Sequence, residues 1–210
     1  MTIDVYYTML SPPARSVLVV AKHLGLAVTT KEVDLFAGGT RTPEYLKMNP
    51  SHTVPTLDDN GFVLFESRAI LAYLVNKYSP NHSVYPEDPQ TRAAIDKVLF
   101  FDASAIFPAI RGIVVPKVFK KIEVPAEAVA ELKEKVEIVE AILGDQRFLA
   151  GENVTLADIS FGVEVPMIKV LYPSFISPKL QAWYDRTLRD VPALEEYNSQ
   201  ADYTAFLKKL

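Results

Sequence analysis

Three short stretches in the first seventy residues carry side chains able to act on a small ligand, and each stands where a strand meets a helix. The first, Ser11-Pro12-Pro13-Ala14-Arg15, follows a β-prone run at Ile3–Tyr7 and opens a helix running to Leu24 and closed by Gly25. Proline suits the first helical turn, so Ser11 stands just outside the helix, among its free amides and at the positive end of its dipole. Two readings are open: a hydroxyl that caps the helix, or one that donates to an anion held there. The second stretch is Asn49-Pro50-Ser51-His52-Thr53-Val54-Pro55-Thr56. Pro55 directly before a strand is a cis-proline candidate, a bend that leaves the Val54 backbone free to pair with an extended peptide; a trans proline that ends a loop fits equally. The third is Phe65-Glu66-Ser67-Arg68, at the start of a helix over 67–78. Ser67 reads as its cap. Glu66 and Arg68 add one charge of each sign to that N-terminus, a set suited to an α-amino acid zwitterion, its carboxylate on the amides and its ammonium on Glu66.

Conventional catalytic sets are missing. His23, His52 and His82 lie far apart in the chain, with no histidine at i+3 or i+4 and no clustered carboxylates, so no metal is expected. There is no GxSxG elbow for a serine hydrolase and no phosphate-cradling glycine loop. With no cysteine among 210 residues, disulfides, Cys-ligated zinc, iron–sulfur clusters, catalytic thiols and CxxC redox centres are excluded.

The elements that must position these residues divide near residue 80. Residues 1–80 alternate strand-like and helix-like stretches. Ile3–Tyr7, Val28–Val33, Val54–Leu57 and Phe62–Phe65 read as strands, the last two joined by the hairpin turn Asp59-Asn60-Gly61. Helices are expected at 13–24, from Thr42-Pro43, and at 67–78 with Ile70, Leu71, Leu74, Val75 and Tyr78 on one face. The order βαβ-α-ββα implies a mixed four-stranded sheet with helices on its faces. A Pro- and Asn-rich connector spans 81–89, and from residue 90 to 210 the pattern is helical throughout. There Val129, Leu132, Val136, Val139 and Leu143 form one helical face behind a solvated charge run with a Glu131–Lys135 pair. Thr155-Leu156-Ala157-Asp158 reads as a capping box with Val154 and Ile159 as its staple, and Leu180, Trp183, Tyr184 and Leu188 mark a further helix. Early in this part lie Phe100, Phe101, Ile106, Phe107, Ile110, Val114 and Phe119, a stripe that reads as core. Pro108 and Pro116 interrupt it and Gly112 loosens it, so a cleft wall is the other reading.

Charge narrows the partners. The net charge of −4 arises entirely beyond residue 80, since residues 1–80 hold seven basic and seven acidic side chains. That balance carries no footprint for nucleic acid. The N-terminus lacks the basic and apolar regions of a signal peptide, and apolar runs such as Val17–Ala21 fall far short of the roughly 20 residues that cross a bilayer. A soluble cytoplasmic protein with no membrane partner is expected.

Leu10-Ser-Pro-Pro-Ala-Arg15, Asn49-Pro-Ser-His-Thr-Val-Pro-Thr-Leu57, Phe65-Glu-Ser-Arg-Ala-Ile70 and Gly151-Glu-Asn-Val-Thr-Leu-Ala-Asp158, in this order and over nearly the whole chain, resemble a cytosolic glutathione transferase of the serine type. The resemblance is nearest to the insect delta and epsilon classes, with the Ser-Pro-Pro stretch favouring epsilon. It implies a thioredoxin-like domain followed by an all-helical domain. It implies Ser11 as the catalytic hydroxyl and the Val54-Pro55 cis step as the partner of the cysteinyl backbone of glutathione. Glu66, Ser67 and Arg68 would hold the γ-glutamyl end, and His52 would reach toward the glycyl carboxylate. Related sequences commonly carry a second histidine where this chain has Gly39-Thr40-Arg41, so the glycyl end would be held by His52 with Arg41, or held less well. A hydrophobic co-substrate pocket lined by Pro13, Leu35, Phe107, Ile110, Val114, Phe119 and Phe206 follows, as do a homodimer, glutathione as co-substrate with no further cofactor, and small hydrophobic electrophiles as partners in detoxification of xenobiotics. Two other readings share the fold: a carrier of hydrophobic ligands or hormones, which the apolar stripe also fits, and a translation-associated relative, against which the joint presence of Ser11, His52, Glu66 and Ser67 argues.

Overall fold

A computed structural model describes residues 2–199, 201, 204 and 205. Ile3 and Val5, two positions apart, turn one face of β1 (Ile3–Tyr7) into the core. The chain returns through α1 (Pro12–His23), so β2 (Val28–Glu32) lies parallel to β1. After α2 (Pro43–Met48), β3 (Thr56–Asp59) runs antiparallel along the other side of β1, and β4 (Phe62–Phe65) runs antiparallel to β3. The sheet order is β2-β1-β3-β4. Asn60 and Gly61 join β3 to β4 at φ 54° and 90°, the positive values a two-residue type I′ turn requires, and Asp58 Oδ1 accepts from the Gly61 amide at 2.7 Å.

Helix α1 is buried from Pro12 through Ala21 because it touches β1, α3 (Ser67–Tyr78) and two helices of the second part, α7 (Leu156–Gly162) and α10 (Ala193–Tyr197). That explains why Val17–Ala21 is apolar on every side. In α3 the four residues Ile70, Leu71, Leu74 and Val75 are fully buried, each contributing about 1.5–3 kcal/mol of apolar transfer, while Tyr78 is only half-buried.

The second part is helical, and beyond β4 the described residues contain no strand, only a single bridge between Phe148 and Gly151. Helix α4 (Pro89–Phe101) is capped by Asp88 and continues through a π-turn at 102–106 into α5 (Phe107–Val114) and a second π-turn at 115–120. Pro108 and Pro116 therefore do not end the helix as expected. Each removes an N–H from the ladder, and the backbone widens instead: the Phe107 amide bonds to Asp102 O and the Lys121 amide to Pro116 O, five residues back in each case. Gly112 sits within α5 against Ala128 without breaking it. The resulting 32-residue helix is long and apolar enough to span a bilayer by length and composition, although charged residues interrupt its apolar runs. One face of it belongs to the core: Ile95, Val98, Ile106, Ile110 and Ile113 are buried, and Asp102 at its middle is ion-paired.

Helix α6 (Ala126–Leu143) buries Leu132, Val136, Val139 and Leu143. The pair expected between Glu131 and Lys135 does not form. On that solvated face Lys133 takes Glu137 at 2.5 Å and Lys135 takes Glu134 at 3.1 Å, since several partners of similar worth compete. The capping box is present: Thr155 Oγ1 accepts from the Ala157 amide, and Asp158 Oδ2 accepts from the Thr155 amide. The other oxygen of Asp158 accepts from the Leu149 amide and from Trp183 Nε1 at 2.8 Å, which ties α7 to α9 (Pro178–Asp190). Burial pushes the Asp158 carboxyl up, opposed by those three donors and by the Thr155 hydroxyl, which also donates to Oδ2. Between α7 and α9 runs α8 (Val165–Leu171).

Candidate active site

The sheet register gathers the chemistry at one end. Tyr6 in β1 pairs with Thr56 in β3, Thr56 pairs with Phe65 in β4, and Tyr7 pairs with Glu32 in β2. Ser11, which leaves β1, Pro55, which enters β3, Glu66, which leaves β4, and Leu35, which leaves β2, therefore emerge together. Helices α1 and α3 both begin here, so two sets of free amides and two positive dipole ends converge.

Ser11 is the N-cap of α1, with Pro12 in the first helical position, and its Oγ accepts from the Ala14 amide at 3.3 Å. An oxygen that accepts at the cap keeps its own proton for a second partner, so the two readings of Ser11 are compatible. The half-buried hydroxyl stands at the α1 end of the site.

The 49–56 loop is organised by Asn49, which is fully buried. Its Nδ2 donates to Thr53 O and Thr56 Oγ1, both at 3.0 Å, and its Oδ1 accepts from Ser51 Oγ at 2.6 Å. The Tyr45 hydroxyl donates to Thr53 O at 2.6 Å and packs edge-on against Tyr6. Sequence reasoning quoted Asn49 as the start of this stretch without giving it a role and left Tyr45 out of the site; an asparagine and a tyrosine just ahead of a proline-rich loop were the available signal. This frame holds His52 in the left-handed region at φ 46°, and the Val54–Pro55 peptide is cis.

At the third stretch the cap position belongs to Glu66, not Ser67, which is the first residue of α3. Glu66 takes φ 72° and ψ 101°, a conformation that disfavours any side chain, and offers no cap bond of its own. Its exposed carboxylate thus stands at the α3 N-terminus beside the buried Ser67. Arg68 turns away from solvent: its side chain is 14% exposed, pairs with Asp102 at 2.6 Å and Glu164 at 3.4 Å, donates Nη1 to Ser67 Oγ at 2.9 Å and lies over the Phe107 ring. Burial opposes the Arg68 charge, but the two acids hold its basicity above the ordinary value.

The second part closes this end. Phe36, beyond Leu35, stacks on Phe119 with ring centroids 5.2 Å apart, and both rings remain about half-exposed at 57% and 46%. Phe36 was not anticipated; the apolar pair Leu35-Phe36 ahead of Gly38-Gly39 was its only signal. Leu35, Phe107 and Val114 are half-buried, and Pro13 is buried under the first turn of α1. Ile110, expected on the pocket wall, is 1% exposed and belongs to the buried core, one helical turn beyond the half-buried Phe107. Arg41 is exposed on a 3₁₀ turn at 39–41 whose Thr40 is buried. Phe206 lies outside the described residues. No group of three or more metal-ligating side chains occurs among the described residues.

Residues 1–76 match the family model for the glutathione S-transferase N-terminal domain, and residues 102–190 the model for its C-terminal domain. Among solved structures, a delta-class glutathione transferase of Nilaparvata lugens is 35% identical, with 99% of this chain and 98% of that chain covered and a TM-score of 0.90. An epsilon-class glutathione S-transferase of the housefly Musca domestica is 34% identical, with 99% and 97% covered and a TM-score of 0.89. Glutathione transferase E6 of Drosophila melanogaster is 34% identical, with 99% and 96% covered and a TM-score of 0.91.

Proposed function

This chain belongs to the glutathione S-transferase family and is a glutathione transferase, and from that premise we propose that Ser11 activates the glutathione thiol by donating a hydrogen bond to its thiolate. The carrying observation is the convergence of the α1 and α3 N-termini at one end of the sheet, with the Ser11 hydroxyl at the first and Glu66 and Ser67 at the second. In this reading the γ-glutamyl carboxylate lies on the α3 amides and the Ser67 hydroxyl, and its ammonium on Glu66. The cysteinyl backbone pairs with Val54 ahead of Pro55, and the glycyl carboxylate is met by His52 with Arg41. Arg68 contributes from behind Ser67, consistent with its pairing to Asp102 and Glu164.

Magnitudes decide whether serine suffices without a general base. A free thiol has a pKa of about 8.5, and making it mostly thiolate at neutral pH needs a shift of about 2 units, or about 2.7 kcal/mol. A charge-assisted hydrogen bond contributes about 1.5–3 kcal/mol. The α1 N-terminus adds about 0.3–1 kcal/mol. Together they cover the requirement. The thiolate then attacks an electrophilic carbon, forming the carbon–sulfur bond as the leaving group departs with its electron pair. The co-substrate is a small hydrophobic electrophile that enters between Phe36, Phe119 and Phe107, in keeping with xenobiotic detoxification in the cytoplasm. A homodimer belongs to the same reading, with exposed Phe62 and Phe100 as rings a second copy would cover.

The test is the ultraviolet thiolate band of bound glutathione, titrated against pH in wild type and Ser11→Ala. A band that appears well below the free thiol's pKa in wild type and moves up by about 2 units in the variant, with little loss of glutathione affinity, is the expected result. An unchanged band in the variant removes Ser11 from the mechanism. Glutathione bound with no low-pH thiolate in wild type favours a carrier of apolar ligands.

A further inference from the structure

Buried charge concentrates behind Ser67. Asp102, on the π-turn after α4, and Glu164, just ahead of α8, are both fully buried, and one guanidinium serves both. Arg68 Nε and Nη2 converge on a single oxygen of Asp102, Oδ2, at 3.1 and 2.6 Å, and Ser160 Oγ donates to that same oxygen. Arg68 Nη2 also meets Glu164 Oε1 at 3.4 Å. The remaining oxygen of each acid, Asp102 Oδ1 and Glu164 Oε2, is buried with no hydrogen-bond partner in the structure. The two carboxyl groups are neighbours, since both lie on one nitrogen, Arg68 Nη2, at 2.6 and 3.4 Å, and Asp102 raises the Glu164 carboxyl. Two ionised carboxylates cannot bond, and a buried acceptor left unpaired is costly. One proton between them gives the pair the donor it lacks.

We propose that Asp102 and Glu164 share one proton, and that Glu164 is thereby a positioning residue for the Ser67 hydroxyl. The groups facing the pair are Arg68 from α3, Arg15 from α1 and Ser160 from α7, with Glu66 near Arg68 on its other side. Burial raises the Glu164 carboxyl well above the usual range and the Asp102 charge raises it further, against the pull of Arg68 and Arg15. With Glu164 neutral, Asp102 is the main anchor of the guanidinium, which directs Nη1 onto Ser67 Oγ. The Ser67 oxygen then accepts from Arg68, and its own proton is left to point at an anion on the α3 N-terminus. The shared proton also removes one negative charge from beneath that anion. This step rests on the reading of the α3 N-terminus as the γ-glutamyl carboxylate site.

Two measurements separate the inference from that reading. Infrared difference spectra of the ligand-free protein at neutral pH, wild type minus Glu164→Gln, should contain a protonated carboxylic C=O band; the buried acids outside the pair, Asp59 and Asp158, are common to both proteins and cancel. Carbon-13 NMR of wild type labelled at glutamate carboxyls reads the same proton without any variant, as one glutamate that titrates above neutrality. Calorimetric titration with S-methylglutathione, which has no thiol, then follows affinity against pH. Wild type should weaken by about tenfold as the shared proton is lost at alkaline pH, the size of one pKa unit of coupling, and Glu164→Gln should not. Ligand titrations are the same for both and drop out. Glutamates all ionised at neutral pH overturn the shared proton, and parallel alkaline limbs in the two proteins overturn the positioning role. A wild type that binds no S-methylglutathione overturns the reading of the α3 site, while the spectra still decide the proton.

Discussion

The imidazole rings of His23 and His82 meet edge to face, with centroids 5.5 Å apart and planes at 77°, although they are remote in the chain. His23 ends α1 and His82 lies in the connector, where its Nδ1 accepts from the Val84 amide at 3.3 Å. Separation in the chain does not keep this pair apart in space, because the connector folds back along the end of α1.

Burial lowers the His23 pKa below its ordinary 6.5, and the neighbouring His82 charge lowers it further. Below that pH the unfolded chain binds a proton at this position more readily than the folded protein, so stability falls as pH drops from about 6.5 toward the lower folded value. Urea midpoints measured from pH 7.5 to 5.5 should decline in wild type and decline less in His23→Gln. Equal slopes would remove His23 as the cause.

Asp59 ends β3 with one oxygen accepting from Tyr73 and Tyr78 hydroxyls, each at 2.6 Å, and from Lys77 Nζ at 2.7 Å. Burial by itself would raise this carboxyl, but those donors and Asn60 hold it far below the usual range. Its folded pKa is depressed, so its contribution is present above the unfolded value of about 3.9 and is lost as pH falls below it. Asp59→Asn should cost about 1–3 kcal/mol at pH 7, mostly through the two tyrosines, since the Lys77 side chain is 44% exposed. The gap between variant and wild type, followed by urea denaturation, should shrink toward pH 3.

Glu66 sets ligand binding against backbone comfort. Its φ of 72° costs about 1–3 kcal/mol, and glycine at that position relieves the strain while adding about 0.5–1 kcal/mol of unfolded-state entropy. Glu66→Gly should keep or raise the thermal midpoint, by about 2–4 °C for a net gain of 1 kcal/mol. The same change should raise the KM for glutathione by about 10–100-fold, the worth of a charge-assisted bond. A lowered midpoint with unchanged KM would place Glu66 in the fold alone.

What was legible in the sequence was local. Asn60-Gly61 announced its turn because only such residues take two successive positive φ values, and Thr155 with Asp158 announced a cap because both partners lie within one helical turn. Ser11, His52, Glu66 and Ser67 were placed at strand–helix junctions by the same local logic, and the resemblance joined them. Illegible were the contacts made by tertiary closure. Asp102 drew no reading at all within the apolar stripe, and nothing near it in the chain names Arg68, 34 positions away, or Ser160, 58 positions away. Phe36 and Phe119 likewise belong to different halves of the chain and meet only when those halves pack. Ile110 was set on the pocket wall with Phe107 because an apolar side chain in such a stripe suits core and cleft wall alike, and only packing against the neighbouring helices buries it.

The two widened turns at 102–106 and 115–120 bear on how the helix tolerates a change in length. Each holds one residue more than an α-turn, so each has slack of one residue. Deleting one residue within 102–106 would restore ordinary winding and leave everything downstream on its present face, whereas a deletion in the regular part of α4 would rotate it by about 100°. Phe107 and Phe119 would exchange faces with their neighbours only in the second case. The helix thus carries two places where the chain can lose a residue and still present the same wall to the cleft.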